Sequence, residues 1–185
     1  MIPEHRHPRR RDRSQEVEWI RALLHRGEAC VLSAVLEGLP FALPRVYAYD
    51  HEREAVYLHG AHGGETGRMM EGGEASHGVP VTLTVFEVGR FLPGEEALEF
   101  GVEYASVVAT GRARQVEDPK EEEHGLRLLL KKYAPHLREG EDYPAMTEEE
   151  ILRTSVLRVD IESWSGKEKR EPEDFPGAYR LEDVR

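Results

Sequence analysis

Two segments with a side-chain period of two limit what this chain can fold into. In PVTLTVFEVGRFL (80–92), Val81, Leu83 and Val85 alternate with Thr82, Thr84 and Phe86. In VEYASVVATGRARQV (102–116), Val102, Tyr104, Ser106 and Val108 fall on one face. Successive strand side chains point to opposite faces, so this pattern reads as long, half-buried strands. Shorter strand signals surround them. ACVLSAVL (29–36) turns at Glu37-Gly38 into LPFALPRVYAYD (39–50), and AVYLHG (55–60) follows. Pro40 and Pro44 lack a ladder donor, which places the 39–50 strand at an edge or gives it an irregularity. SVLRVDIESW (155–164) is the last strand.

Helices are few. Ser14 reads as an N-cap, with Val17, Ile20, Leu23 and Leu24 on one face and Gly27 as the stop. Asp118-Pro119 reads as N-cap and first residue of a second helix, with Glu121, Glu122 and Glu123 at its positive end. Its expected buried stripe is Leu126, Leu129, Leu130 and Tyr133. Thr147 and Glu150 form a capping box for a short helix. Strands and long helices do not alternate, so a doubly wound parallel sheet is disfavoured. The expectation is an α+β chain built on a small antiparallel barrel. Residues 1–13 are expected to be a basic, disordered arm, residues 14–170 the domain and residues 171–185 an irregular tail.

The 185 residues carry 25 Lys and Arg against 36 Asp and Glu, a formal charge of −11. A nucleic-acid reader should show a basic face on its folded part, yet here the basic residues concentrate in the arm, where five Arg stand against Glu4 and Asp12. No apolar run approaches the ~20 residues needed to span a bilayer, and the N-terminal residues lack a secretory apolar core. The one cysteine, Cys30, sits in an apolar strand and reads as a small buried hydrophobe. These features predict a cytoplasmic protein with neither nucleic-acid nor membrane partners.

Several chemistries fail on motif grounds. There is no phosphate-binding G-x-x-x-x-G-K-[ST] loop, no G-x-G-x-x-G turn and no G-x-S-x-G elbow. His59 and His62 have an H-x-x-H spacing, with Glu65 and His77 nearby, but they do not make a zinc ligand set, and no metal is expected. The loop HGAHGGETGR (59–68) is more informative. It follows a strand and ends in Thr66-Gly67-Arg68, where backbone N–H groups, a hydroxyl and a guanidinium could cradle a phosphate. Residues 28–103 hold 13 acids and only Arg45, Arg53, Arg68 and Arg90 as bases, so an anion site there must draw on these arginines.

The stretches RSQEVEWIRALLHRG (13–27), FALPRVYAYD (41–50), VYLHG (56–60), TGRMM (66–70), YASVVATGRARQVED (104–118) and SVLRVDIESWSGKEK (155–169), in that order, resemble the FMN-binding split-barrel superfamily of pyridoxamine 5′-phosphate oxidase. The similarity is greatest to the branch with the 5-nitroimidazole resistance flavoproteins. The resemblance implies a six-stranded antiparallel split β-barrel with peripheral helices, and a homodimer with two FMN sites at the subunit interface. It implies that Pro44, Arg45, Val46 and Tyr47 line the flavin edge, and that His59, Gly60 and Ala61 lie beside the ring. Thr66, Gly67 and Arg68 would hold the phosphate. Tyr104, Ser106 and Val107 would approach across the interface, and Trp164, Ser165, Gly166 and Lys167 match a closing W-[ST]-G-K segment. The basic S-R-K segment of authentic pyridoxamine phosphate oxidases is reduced here to Thr66-Gly67-Arg68, and their C-terminal R-L-x-P is absent, which argues against vitamin B6 oxidation. The expected function is reduction of small nitroaromatic or quinone-like substrates, with His59 as proton donor because imidazole titrates near neutrality. The alternatives are a flavin carrier or sensor without turnover, and a haem-handling protein with His59 or His62 as axial ligand.

Overall fold

The computed structural model describes residues 10–61, 63, 64, 67, 69, 70 and 78–185. A 3-10 turn at Arg11–Arg13 leads into β1 (Ser14–Gln15) and helix α1 (Val17–Arg26). Then follow β2 (Cys30–Leu36), β3 (Leu39–Arg45), β4 (Ala48–Asp50), β5 (Ala55–Ala61), β6 (Val79–Leu92) and β7 (Gly101–Gln115). Helices α2 (Pro119–Tyr133) and α3 (Glu148–Leu152) precede the last strand, β8 (Thr154–Lys169).

All pairings of named strands are antiparallel, in the order β3-β2-β6-β7-β8-β5-β4, with β1 added to the end of β8. The two ends of this order are β3 and β4, yet only Val46 and Tyr47 separate them in the chain. Three Cα steps reach at most about 11 Å. The sheet must therefore curl until its edges nearly meet, while β3 and β4 stay unpaired. That is an open, split barrel of six long strands, with the short β1 and β4 as additions. It agrees with the α+β split-barrel expectation.

The 39–50 segment is broken at Val46, so both expectations for the proline-bearing strand hold: β3 lies at the sheet edge and the run is irregular. Ser14 does not cap the first helix. It pairs with Lys167, and the cap position falls to Glu16, which makes no side-chain capping bond. Tertiary pairing with the end of β8 overrides the local capping signal. The capping box of α3 and the Asp118 cap of α2 form as expected.

The buried stripe of α2 is rotated from the expected one, to Glu122, Gly125 and Leu129. Gly125 lies against the Tyr57 ring, where an added Cβ would come within 2.8 Å of the ring edge. A glycine thus lets the helix approach β5 closely, and the leucines next to it are only partly covered. The barrel interior is filled by Leu32, Leu58, Leu83, Val85, Val107, Leu157 and Trp164, closed at one end by Ile20, Leu23 and Leu24 of α1. After β8 the chain is tied back to β6. Arg90 donates to the carbonyls of Glu171, Pro172 and Glu173, and Phe91 and Tyr179 exchange backbone hydrogen bonds of 2.7 and 3.1 Å.

Candidate functional site

The split brings the end of β3 to the end of β5. Residues 55–58 of β5 are all buried, between the core and α2, whereas His59 and Ala61 run on into solvent and Gly60 is half-buried. There the Arg45 guanidinium donates to the His59 carbonyl across the opening. Pro44, Arg45, Val46, His59, Gly60 and Ala61 thus form one rim, with Val46 exposed. The His59 imidazole is held below its ordinary pKa, first by loss of hydration against the surrounding protein and second by the Arg45 charge. A neutral ring at physiological pH follows. Gly67 is helical and has open space where a Cβ would stand. Thr66 and Arg68 of the expected cradle, and His62, lie outside the described residues.

Under the rim, the Val46–Tyr47 link is fixed by the end of α2. The Tyr47 N–H donates to the Tyr133 hydroxyl at 3.0 Å, and that hydroxyl lies 2.6 Å from the Glu28 carbonyl. The Tyr47 ring is fully buried and its hydroxyl donates to the Leu24 carbonyl. Its side chain is therefore core, and a ligand at the rim could meet Tyr47 only through its backbone. The Lys132 Nζ sits 3.6 Å from the centroid of the Tyr47 ring, buried and without a hydrogen-bond acceptor among the described residues. Burial pushes this amine down to about 8, partly offset by Cys30 and Glu28. Cys30 is buried as expected, and burial pushes its thiol up to about 12.

The remaining expected residues lie on β7 and β8, where alternation divides them. Val107 and Trp164 point into the barrel and are fully buried, so their side chains serve packing. Gly166 is pressed under α1, its Cβ position 2.6 Å from Ile20. Tyr104, Ser106, Ser165 and Lys167 are half-buried on the outer face. The Tyr104 hydroxyl accepts from Arg13 at 3.1 Å, and the Lys167 Nζ lies 5.2 Å from the centre of its ring. Burial would raise the Tyr104 phenol, but hydrogen bonds from Lys167 and Arg13 outweigh it and hold the phenol below its usual value. A cleft of about 910 Å³ opens beside it, lined by both Tyr104 and Pro44 together with Phe86 and Val88, and by charged side chains of both signs, Glu28, Glu87, Glu103 and Glu168 among them. No hydrogen bond, ion pair or ring contact among the described residues joins the rim group to the outer-face group.

Arg13, Lys132 and Tyr133 were not among the expected site residues. Arg13 belongs to a run of arginines that looks solvated, and only its place beside β1 brings it to Tyr104. Lys132 and Tyr133 carry no motif; the sole signal was a lysine and a tyrosine at the end of an otherwise apolar helical face. Among the described residues, no group of three or more His, Cys, Asp or Glu is placed to hold a metal ion. No helix among them is long and apolar enough to cross a membrane.

The residues present suit a flat ligand bearing an anionic group. Cations stand at Arg45 on the rim and at Arg13 and Lys167 on the outer face, an aromatic ring at Tyr104, and apolar walls at Pro44 and Val46. Residues 16–168 match the family model of pyridoxamine 5′-phosphate oxidase. No curated protein matches the chain. Solved structures share the fold at low identity. The flavocytochrome Anf3 from Azotobacter vinelandii is 21% identical, with a TM-score of 0.73, covering 98% of this chain and 79% of that one. An FAD- and haem-binding protein from Mycobacterium smegmatis is 20% identical, with a TM-score of 0.71, covering 93% and 78%. A protein assigned to 5-nitroimidazole antibiotic resistance in Bacteroides thetaiotaomicron is 19% identical, with a TM-score of 0.65, covering 83% and 84%.

Proposed function

The chain belongs to the pyridoxamine 5′-phosphate oxidase family, and we propose that it is a cytoplasmic, FMN-dependent oxidoreductase that reduces small nitroaromatic or quinone-like compounds as a homodimer. The observation that carries this reading is the rim at the split of the barrel. A guanidinium, a neutral imidazole and a half-buried glycine share one opening, above a rigidly clamped link. FMN needs an anion cradle, apolar walls and backbone groups for its ring edge. Arg45, Pro44, Val46 and Gly60 supply parts of that set, and the family resemblance gives the phosphate partner as Arg68, which lies outside the described residues.

When bound, the flavin supplies the redox chemistry. The chain's own work is to hold and orient it and to manage protons. Arg45, tied to the His59 carbonyl, keeps a positive charge at the rim, where negative charge is favoured. The His59 imidazole is exposed, so it can take a proton from solvent and pass it to a reduced acceptor. Tyr133, by bonding the backbone of Tyr47, keeps the rim in one geometry.

Two measurements test this reading. The purified protein should carry a flavin absorption band that NAD(P)H bleaches and an added nitroaromatic or quinone restores. Bleaching without acceptor turnover would reduce the protein to a flavin carrier, and absence of flavin binding would remove the reading altogether. A guanidinium–phosphate contact is worth about 1.5–3 kcal/mol, so Arg68→Ala should weaken FMN binding roughly ten- to 150-fold in a fluorescence titration. Arg53→Ala serves as the control, because Arg53 faces Tyr57, Asp50 and Glu121 away from the rim.

A second reading rests on His59. A haem iron takes a neutral imidazole, and an exposed histidine with a depressed pKa offers one. Two of the similar structures are described as a flavocytochrome and as an FAD- and haem-binding protein. A Soret band in the purified protein, lost in His59→Ala, is the outcome this reading requires.

A further inference from the structure

We propose that Lys132 tunes the flavin by charge: its buried ammonium, held beneath the rim without a counter-charge, favours the reduced cofactor over the oxidised one. The proposal rests on the reading that the chain binds FMN, and adds to it a residue that no motif of the family resemblance contains.

The starting point is an unpaired charge. Many cations of this acidic chain are held by carboxylates: Arg21 by Glu54, Arg90 by Glu103, and Arg158 by Glu121 and Asp160. The Lys132 ammonium is buried and has no hydrogen-bond acceptor among the described residues. Its neighbours do not fill the gap. The Tyr47 ring centre lies 3.6 Å away and that of Tyr133 5.5 Å, and a ring face attracts a cation without replacing its hydration. Cys30 on β2 is a thiol pushed up to about 12, so it stays neutral, and Arg45 on β3 acts on that thiol. Glu28, ahead of β2, attracts the amine only through space. A buried charge without a partner costs the fold stability, and such costs concentrate at functional sites.

The fold sets this charge close under the opening. Gly125 lets α2 lie against β5, and the helix ends at the Val46–Tyr47 link, where Tyr133 bonds the Tyr47 backbone and the Glu28 carbonyl. Covalent geometry sets the Tyr47 ring centre about 4 Å from its own Cα and the Val46 Cα about 4 Å further, so the ammonium lies within about 12 Å of the exposed Val46. The Tyr47 ring between them is fully buried, which limits screening by water and salt. Hydride from a reduced nicotinamide, which is thereby oxidised, carries two electrons and one proton and leaves one net negative charge at the rim. Across about 12 Å at an effective dielectric of about 20, a fixed positive charge shifts that equilibrium about tenfold towards the reduced side.

The test is the midpoint potential of FMN bound to the full chain, read against a reference dye in wild type, Lys132→Met and Lys131→Met. Lys131 is the exposed neighbour on the same helix and serves as the control. Lys132→Met should hold oxidised FMN as tightly as wild type but reduced FMN about tenfold more weakly, which lowers the midpoint by about 30 mV at pH 7. Lys131→Met should leave both unchanged. The pH profile carries the sign. The Lys132 amine titrates near 8 in the ligand-free chain, and one negative charge at the rim raises it by about one unit, the same tenfold effect. Between about pH 8 and 9, reduction of the wild type therefore takes up extra proton, and its potential falls more steeply with pH than that of Lys132→Met. The two should converge above about pH 9, where the amine is neutral in both redox states. Equal potentials in wild type and Lys132→Met, an equal drop in Lys131→Met, or a loss of affinity shared by oxidised and reduced FMN each overturns the proposal while the flavin reading stands. A wild-type chain that binds no FMN removes that reading first, and this proposal with it.

Discussion

Lys132 shows most plainly how a single side chain can be placed against its own preference. A lysine at the end of an amphipathic helix is expected to lift its ammonium into water. Here the amine lies over the Tyr47 ring, buried, with no acceptor among the described residues, and its pKa falls to about 8. The ring offers cation–π attraction, but that does not replace a lost hydration shell. Removing an unpaired buried charge in favour of an apolar side chain of similar length should stabilise the fold. Lys132→Met should therefore raise Tm by about 2–4 °C, the shift that ~1 kcal/mol gives a chain of this size. The sign of the pH effect follows from the depressed pKa. Below about 8 the folded state must hold the charged amine, while the unfolded chain binds that proton freely. Stability should thus rise with pH above 8, until ionisation of Cys30 in the unfolded chain begins to oppose it near 9. The Tm advantage of Lys132→Met should shrink between pH 7 and 9 in thermal scans; a constant advantage would mean that packing alone is responsible. None of this was legible in the sequence, because nothing in KKY distinguishes Lys131, which is exposed, from Lys132, which is not. Cys30 was legible, since its neighbours on both sides are apolar. Tyr47 and Trp164 were only half legible: their segments were found, but which face each residue takes depends on breaks and bulges that the alternation does not reveal.

At the scale of elements, the strands were read closely from their periodicity, and the departures occur where tertiary pairing or backbone geometry intervenes. β8 was expected to end at 164 but continues to Lys169, because β7 and β1 flank its far end. The β7–β8 ladder also shifts register between Thr110 and Gly111. A glycine inside a strand signals such an irregularity, and here the reason is geometric. A Cβ on Gly111 would stand 2.0 Å from the Asp160 carbonyl oxygen, a backbone atom that cannot swing away. The bulge lets the long strands bend around the core, so it belongs to the barrel's curvature. Gly111→Ala should destabilise the protein by about 3 kcal/mol, at the upper end of the usual overpacking cost. Urea denaturation should show the midpoint falling with little change in slope. Gly38, in the β2–β3 turn with nothing within 4 Å of its Cβ position but a φ of +79°, is the comparison. There Gly→Ala meets only backbone strain, of order 1 kcal/mol, and a loss as large as at Gly111 would show that the close contact is not what matters.

At the scale of the whole molecule, the outer face of the sheet differs from the rest of an acidic chain. Antiparallel register places residues in rows across it: Ser33, Thr82, Thr110 and Ser163; then Val31, Thr84, Val108 and Ser165; then Phe86, Ser106 and Lys167; then Val88, Tyr104 and Lys169. No Asp or Glu stands in any of these rows, although the chain has 36. Phe86 is 61% exposed and Val88 54%. A β-branched, acid-free sheet face is the kind of surface that a second copy covers, and two-fold symmetry lets one patch serve both subunits. The homodimer expected from the family resemblance would then bury this face. Light scattering should return twice the 21.1 kDa chain mass at micromolar concentration. Val108→Asp tests the face directly. Val108 lies mid-row with its side chain on the outer face, so a carboxylate there leaves the barrel interior untouched. In a two-fold interface the substitution enters twice, bringing unpaired carboxylates into a desolvated contact. The variant should scatter as a monomer near 21.1 kDa while keeping its β-sheet circular dichroism and a cooperative thermal transition. If it stays dimeric, the copies meet elsewhere. If wild type is itself a monomer, the acid-free face must have another occupant, and a site shared between subunits is no longer tenable.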